Sequence, residues 1–323
     1  MRIPSLLATI AALAVNAVAC SGGDDAAAPS TTAAPAGTTT APVTTGTTEA
    51  ADRCATNRAA GTITYASSYD FAASASILEV VVADAKGYFD ELCLDVEMVP
   101  GFASTNYPLI EAGEAQFSSA GNYTEILKYT AQGGEFVAVT NAGKTAVEAL
   151  AVPADGAATI EELAGRTIGV KGDIPTSLVA MLATHGLVRG DDYAEILLEG
   201  FDPTLQLPQV DALPVYKSAE PGQLEAAGID YHLFDPGADG IPGTFGILYT
   251  SQEFYDEHPT VVEDFVRAAL KGLEDAIADP AAAVEIAVDK INATGNAYFL
   301  TLDSEMYRWT QEAQIIVAST PAG

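Results

Sequence analysis

Positive charge is scarce in this chain. Fourteen of its 323 residues are Lys or Arg, against 44 Asp or Glu, for a formal net charge of -30. Such a surface repels phosphate backbones and anionic headgroups, which excludes nucleic acid and charge-driven membrane adsorption. Histidine is also rare, and His185, His232 and His258 are too scattered to suggest a metal site. There is no Gly-x-Ser-x-Gly, no His-Glu-x-x-His and no Walker loop; the Gly-rich run from Gly237 to Gly243 lacks the Lys-Ser/Thr ending. These absences argue against hydrolase, metalloenzyme and NTPase chemistry, so no catalysis, cofactor or metal is expected. Past the N-terminus, no apolar run reaches the roughly 20 residues of a spanning helix.

What is present begins with a processing signal. Arg2 supplies a positive start, and Leu6 to Val15 is apolar but short. Ala17-Val18-Ala19-Cys20 resembles a bacterial lipobox, in which small residues precede the cut and the Cys thiol takes the lipid. Residues 1–20 are therefore read as a lipoprotein signal peptide with lipidation at Cys20. The alternative is an ordinary secretory signal cut near Ala19. Residues 21–57 are mainly Thr, Ala, Pro, Ser and Gly, too polar to offset the entropy of ordering, and read as a flexible tether. The expected location is the extracytoplasmic face of the cell membrane, held by the N-terminal lipid. With Cys20 lipidated, Cys54 and Cys93 remain as a pair, either bridged or as separate thiols.

The remaining stretch suits two lobes better than one core. Strand-like runs at Thr62–Ala66, Leu94–Val99, Ala115–Ser119 and Phe136–Thr140 alternate with helical stretches, which implies an α/β fold with parallel sheets. A second block repeats the pattern from Thr167 to Tyr216, and the chain returns at Thr244–Thr250 before a helical end. This places lobe 1 at residues 58–150 and 246–323 and lobe 2 at residues 151–245. Crossovers are expected near Ala149–Pro153 and Gly246–Thr250. Ligands of such folds sit in the cleft facing the carboxyl ends of strands.

Candidate ligand residues are those just past each strand. Ser67, Tyr69, Asp70 and Phe71 follow the first; Ser119, Asn122 and Tyr123 the third; Asn141 the fourth. Lys171 and Asp173 follow the first strand of lobe 2, Tyr216, Lys217 and Glu220 a later one, and Asp239, Thr244 and Phe245 lie before the return. Tyr69, Phe71, Tyr123, Tyr216 and Phe245 could stack on a flat ring. Asp70, Asp173, Glu220 and Asp239 could accept from ring N–H or amine groups. Each singly also fits a turn or cap, and Glu220 fits the first turn of a helix opening at Pro221. No Arg falls at a predicted strand end, where a dianion reader would show a bidentate donor. A neutral or cationic nitrogen heterocycle is thus favoured over sulfonate, nitrate or phosphate.

Several segments resemble one family. Lys86 to Glu91 with Leu94 to Glu97, Leu109 to Phe117, Leu163 to Val170, Gly200 to Thr204 and Gln209 to Ala212 are similar to motifs of the NMT1/THI5-like solute-binding proteins. Tyr216 to Gly222 resembles the branch that binds thiamine pyrimidine precursors and riboflavin, with Ala219 where that branch usually has Asn. The resemblance implies a type II periplasmic-binding-protein fold, two lobes with a hinged cleft, and a monomeric protein that hands a small molecule to an ABC permease and its ATPase. Sulfonate and nitrate binders share the fold, and eukaryotic relatives make the thiamine pyrimidine with a clustered-cysteine motif that is missing here.

Overall fold

The structure, a computed structural model, describes residues 45–200, 202–294 and 300–320. The lipobox, Cys20 and residues 21–44 of the expected tether lie outside the described residues. The rest of that tether is not a tether: Thr45–Ala59 is helical. Its polar composition is overridden by tertiary anchors. Arg53 Nη2 lies 2.8 Å from Oδ1 of the buried Asp264, Asn57 Nδ2 donates to Asp264 Oδ2 at 2.7 Å, and Cys54 is joined to Cys93 by a disulfide with Cα atoms 5.2 Å apart.

Among the described residues ten strands follow in chain order: β1 (Thr62–Ala66), β2 (Asp95–Val99), β3 (Phe117–Ala120), β4 (Phe136–Gly143), β5 (Glu148–Pro153), β6 (Thr167–Val170), β7 (Ala194–Leu197), β8 (Leu213–Tyr216), β9 (Tyr231–Phe234) and β10 (Phe245–Ser251). The first sheet has the order β2-β1-β3-β10-β4. β1 runs parallel to β2 and β3, whereas the returning β10 is antiparallel to β3 and β4. Helices cover it with an aromatic core in which Phe265 stacks on Phe117 at 3.9 Å and on Phe89 at 5.0 Å.

The second lobe departs from the parallel pattern expected. Its main sheet, β8-β5-β9, is antiparallel, with the parallel pair β6-β7 beside it through a bridge from Ile168 to Ala212. The expected crossovers at Ala149–Pro153 and Gly246–Thr250 are strands β5 and β10 instead. Ala149, Leu150, Ala151 and Val152 are all fully buried. A strand covered on both faces shows no apolar alternation, so its sequence reads as a plain connection. The chain actually changes sheets between Gly143 and Glu148 and again just before Phe245. These connections lie against each other: a Cβ on Gly243 would collide with the Ala146 backbone, and one on Gly143 would overlap the Phe245 ring.

The last helix, Leu302–Ser319, opens with a capping box at Thr301 and Ser304. Its Trp309 is fully buried and donates to Ala276 O at 2.8 Å. None of the described helices is long and apolar enough to cross a membrane.

Candidate functional site

The loop after β1 carries unusual backbone. Asp70 and Ser76 hold left-handed φ angles of +47° and +69°, although neither is glycine. Such geometry persists only where the surroundings over-determine it. Here they do. Ser119 Oγ bonds Ser68 Oγ at 2.8 Å and accepts from Ser68 N at 3.0 Å, and the Tyr65 hydroxyl reaches Ser76 O at 2.7 Å and Ser119 Oγ at 3.1 Å. From the last helix, Glu305 accepts from Ala73 N at 2.7 Å and Glu312 from Ala75 N at 2.6 Å and from Ser74 Oγ at 3.0 Å. Burial raises the Glu312 carboxyl above its usual range. Behind the loop, burial pushes the Glu79 carboxyl up to about 8, and its Oε2 has no partner among the described residues.

Glu312 also reaches the other lobe, where Ser218 Oγ donates to it at 2.9 Å. Ser218 sits between Tyr216 and Glu220, so one carboxylate holds the Ser74–Ala75 loop and the Tyr216–Glu220 loop together. Tyr307 of the same helix packs against Gly222, where a Cβ would come within 2.8 Å of its ring.

A cleft cavity of about 120 Å³ is lined by Asn122, Glu125, Lys128, Glu148, Asp173, Thr176 and Tyr216 among others. Asn122 caps the helix Tyr123–Thr130 by accepting from Glu125 N at 3.1 Å, and its amide donates to Glu148 Oε1 at 2.8 Å. The cap that starts a helix in one lobe thus grips the first residue of β5 in the other. Lys128 and Asp173 meet across the same gap at 3.6 Å. Glu148 stands opposite Tyr216 in the β5–β8 register. Tyr216 is 42 % exposed, and the enclosing walls, with Glu148, Glu125 and Glu220 around it, push its phenol up. Burial likewise raises the Glu125 carboxyl, opposed by its bond from Gly121 N and aided by repulsion from Glu148. Neither Glu125 nor Glu148 is in an ion pair among the described residues. A cleft with two unpaired carboxylates, an aromatic face and one pre-engaged lysine suits a flat group rich in N–H donors.

The candidates read from the sequence separate in space. Asn122, Asp173 and Tyr216 line the cleft cavity, and Lys171 and Glu220 stand just behind Tyr216. There Glu220 has both oxygens occupied, by Lys171 Nζ at 2.5 Å and by Tyr216 N at 2.8 Å. Asp173 is bound by Arg189 at 2.6 Å, which lowers its carboxyl pKa, and Lys217 is bound by Asp235 at 2.8 Å. Ser67 and Ser119 are buried in the hydroxyl network, and Asp70 is buried beside it with burial raising its carboxyl pKa. Tyr69 stays exposed at 39 %. Tyr123, Asn141 and Thr244 line a separate open hollow of about 380 Å³ on the first lobe.

Three more candidates lie away from the cleft cavity. Phe71 and Phe245 are buried in the core around Trp309, Leu78 and Val81, because an aromatic at a strand end contributes more apolar area inside than in a wet cleft. Asp239 bonds His185 Nε2 at 3.3 Å, at the end of the helix Thr176–Thr184 remote from the cleft; Thr176 at its start lines the cavity. Glu125, Lys128 and Glu148 line the cavity without standing at strand ends: Glu125 and Lys128 lie inside a helix, and Glu148 opens β5, whose sequence lacks alternation. Phe102, 60 % exposed, packs edge-on to Tyr69 with centroids 6.3 Å apart. Among the described residues no group of three His, Cys, Asp or Glu could hold a metal ion.

This architecture is shared with solved proteins. The aliphatic sulphonate binding protein SsuA of Escherichia coli superposes with a TM-score of 0.61 at 12 % identity, covering 80 % of this chain and 87 % of that one. The alkanesulfonate-binding protein SsuA of Xanthomonas axonopodis pv. citri, bound to MOPS, gives 0.55 at 17 % identity over 80 % and 89 %. The fold is that of type II periplasmic binding proteins. In sequence, the chain is 30 % identical over 145 residues to the riboflavin-binding protein RibY of Chloroflexus aurantiacus, a match that takes in 42 % of this chain and 39 % of that protein's length. Residues 74–283 match the NMT1/THI5 like family, and the chain belongs to that family.

Proposed function

We propose that this chain is an extracytoplasmic solute-binding protein of an ABC importer, anchored by lipid at Cys20, that captures a flat nitrogen heterocycle without transforming it. The observation that carries the ligand class is the pairing of Tyr216 with Glu125 and Glu148, two carboxylates free of ion pairs among the described residues, in a cleft between the lobes. Family membership and the partial likeness to a riboflavin-binding protein support the same reading. The cavity of about 120 Å³ is smaller than a pocket that encloses a whole ligand. Ligand entry therefore requires the Asn122–Glu148 and Lys128–Asp173 contacts to part, as hinge motion between two lobes would allow.

Calorimetry on the purified chain, titrated with riboflavin, an aminopyrimidine, taurine and nitrate, tests the proposal. Heterocycle binding at micromolar affinity or tighter, near -8 kcal/mol or below, is the expected result. Tight taurine or nitrate binding with no heterocycle response overturns the ligand class. The anchor is tested separately: Cys20→Ala should move the protein from the membrane fraction to the medium, and equal partition of the two forms overturns it.

A further inference from the structure

Arg308 reaches the β1 loop from the last helix, with its side chain 16 % exposed. Its Nε lies 3.3 Å from Glu305 Oε1. Glu305 is itself fully buried, and its other oxygen accepts from Ala73 N, so this contact fixes the guanidinium plane. Among the described residues neither terminal nitrogen of Arg308 has a hydrogen-bond partner, which leaves the outer fork of the guanidinium unclaimed. Its Cζ lies 5.8 Å from the ring centroid of the exposed Tyr69 in the β1 loop, and Phe102 packs edge-on to that ring. A guanidinium held in one plane with its outer fork open pays little ordering cost to accept a ligand's acceptors.

We infer that Arg308, with the Tyr69–Phe102 pair, forms an acceptor-reading subsite that binds a carbonyl oxygen and the adjacent ring nitrogen of a dioxo heterocycle. The inference rests on the reading of the cleft given above and narrows it. The ligand's carbonyl and ring-nitrogen edge then faces Arg308. Neutral acceptors suit the place better than an oxyanion. Glu305 and Glu312 already act on the guanidinium charge, and a further anion would face both carboxylates. The planar fork matches two adjacent in-plane acceptors, a carbonyl oxygen and its neighbouring ring nitrogen, which a lysine ammonium cannot do. This subsite also answers the argument from missing arginine: the bidentate donor comes from a helix far along the chain, not from a strand end.

The test compares two rings of one shape, the dioxopteridine lumazine and diaminopteridine, by calorimetry on the full chain. Wild type should prefer lumazine. Arg308→Met should weaken lumazine by about ten-fold or more, the scale of a lost hydrogen bond to a charged group, and diaminopteridine by less than roughly three-fold. Arg308→Lys, which keeps the charge beside Glu305 but not the fork, should recover only part of the loss, and it carries the same comparison should Arg308→Met fail to fold. Equal weakening of both rings would mean that Arg308 only braces Glu305, and overturns the subsite. Wild type binding both rings equally also overturns the subsite while leaving the heterocycle reading intact. Wild type that binds neither ring but binds taurine removes that reading and this subsite together.

Discussion

The two walls of the cleft hold their polar groups by opposite means. Around the first wall burial dominates: Glu79, Asp70 and Glu125 all have raised pKa values with burial as the main cause. Around the second lobe the carboxylates are paired or hydrogen-bonded in their charged form. Asp173 is lowered by Arg189, Asp211 by its bond from Thr167 N, and Glu161 is brought down to about 2 by His185. One wall is thus held by a desolvated hydroxyl and carboxyl network, and the other by charges in partial contact with water. The difference teaches where to look for ligand contacts. Charges that already have ionic partners, such as Glu220, Lys217 and Asp173, have little left for a ligand, whereas among the described residues Glu125 and Glu148 are held only by neutral donors, from Gly121 N, the Asn122 amide and the Ser177 hydroxyl.

The largest effect is expected where the walls are joined. Glu312→Ala strands Ala75 N, Ser74 and Ser218 at once and should cost about 3–5 kcal/mol, as for other broken buried networks. Urea unfolding measures it. Ser218→Ala removes only the link between lobes, so it should lose about 1 kcal/mol of stability while shifting ligand affinity. Equal, small losses in both variants would mean that the two walls are not coupled through this helix.

Next in size is ligand stacking. Tyr216→Ala should weaken heterocycle binding about ten- to hundred-fold, equivalent to about 1.4–2.8 kcal/mol, with little change in melting temperature because the ring is half open to the cleft. Glu220→Gln should show the converse: a loss of about 1–2 kcal/mol in stability, since it leaves Lys171 without its carboxylate, and nearly unchanged affinity. A large affinity loss in Glu220→Gln would return that residue to the ligand-reading set.

The walls should also respond oppositely to pH. Glu79 has a folded pKa of about 8, above its ordinary 4.5. Its neutral form is the one the fold accepts, so its contribution is fully present below the ordinary value and is lost as pH rises through about 8. Glu79→Gln should flatten the decline in stability between pH 5 and 8, by on the order of 1–2 kcal/mol. Asp211, with a depressed pKa, contributes above its ordinary carboxyl range, and that contribution is lost as pH falls through the folded value. Asp211→Asn should therefore reduce stability at neutral pH and converge with wild type in acid. Its effect is the smallest, below about 1 kcal/mol and weakened by salt, since the Arg166 pair is partly exposed. The same pH slope in Glu79→Gln and wild type would end the contrast between the walls.

Alternation of short apolar runs with helical ones was enough to expect an α/β fold with a cleft, because β1, β4, β6 and most of the helices carry their own periodicity. Tyr216 and Asn122 were legible as cleft-lining residues because they sit at strand ends, Tyr216 closing β8 and Asn122 two residues past β3, where the chain turns. Motif spacing from Lys86 to Gly222 was enough to suggest the family. What lay beyond local sequence was set by partners distant in the chain. The helix Thr45–Ala59 forms in a polar segment because Asp264 and Cys93 hold it. β5 escaped notice because burial on both faces erases alternation. Phe71 and Phe245 share the aromatic chemistry of Tyr69, and only packing decided which rings went into the core. Glu305 and Glu312 reach the β1 loop from a helix more than 200 residues after it. Local periodicity is written in neighbouring residues, whereas desolvation and charge pairing depend on which distant residues the finished fold brings together.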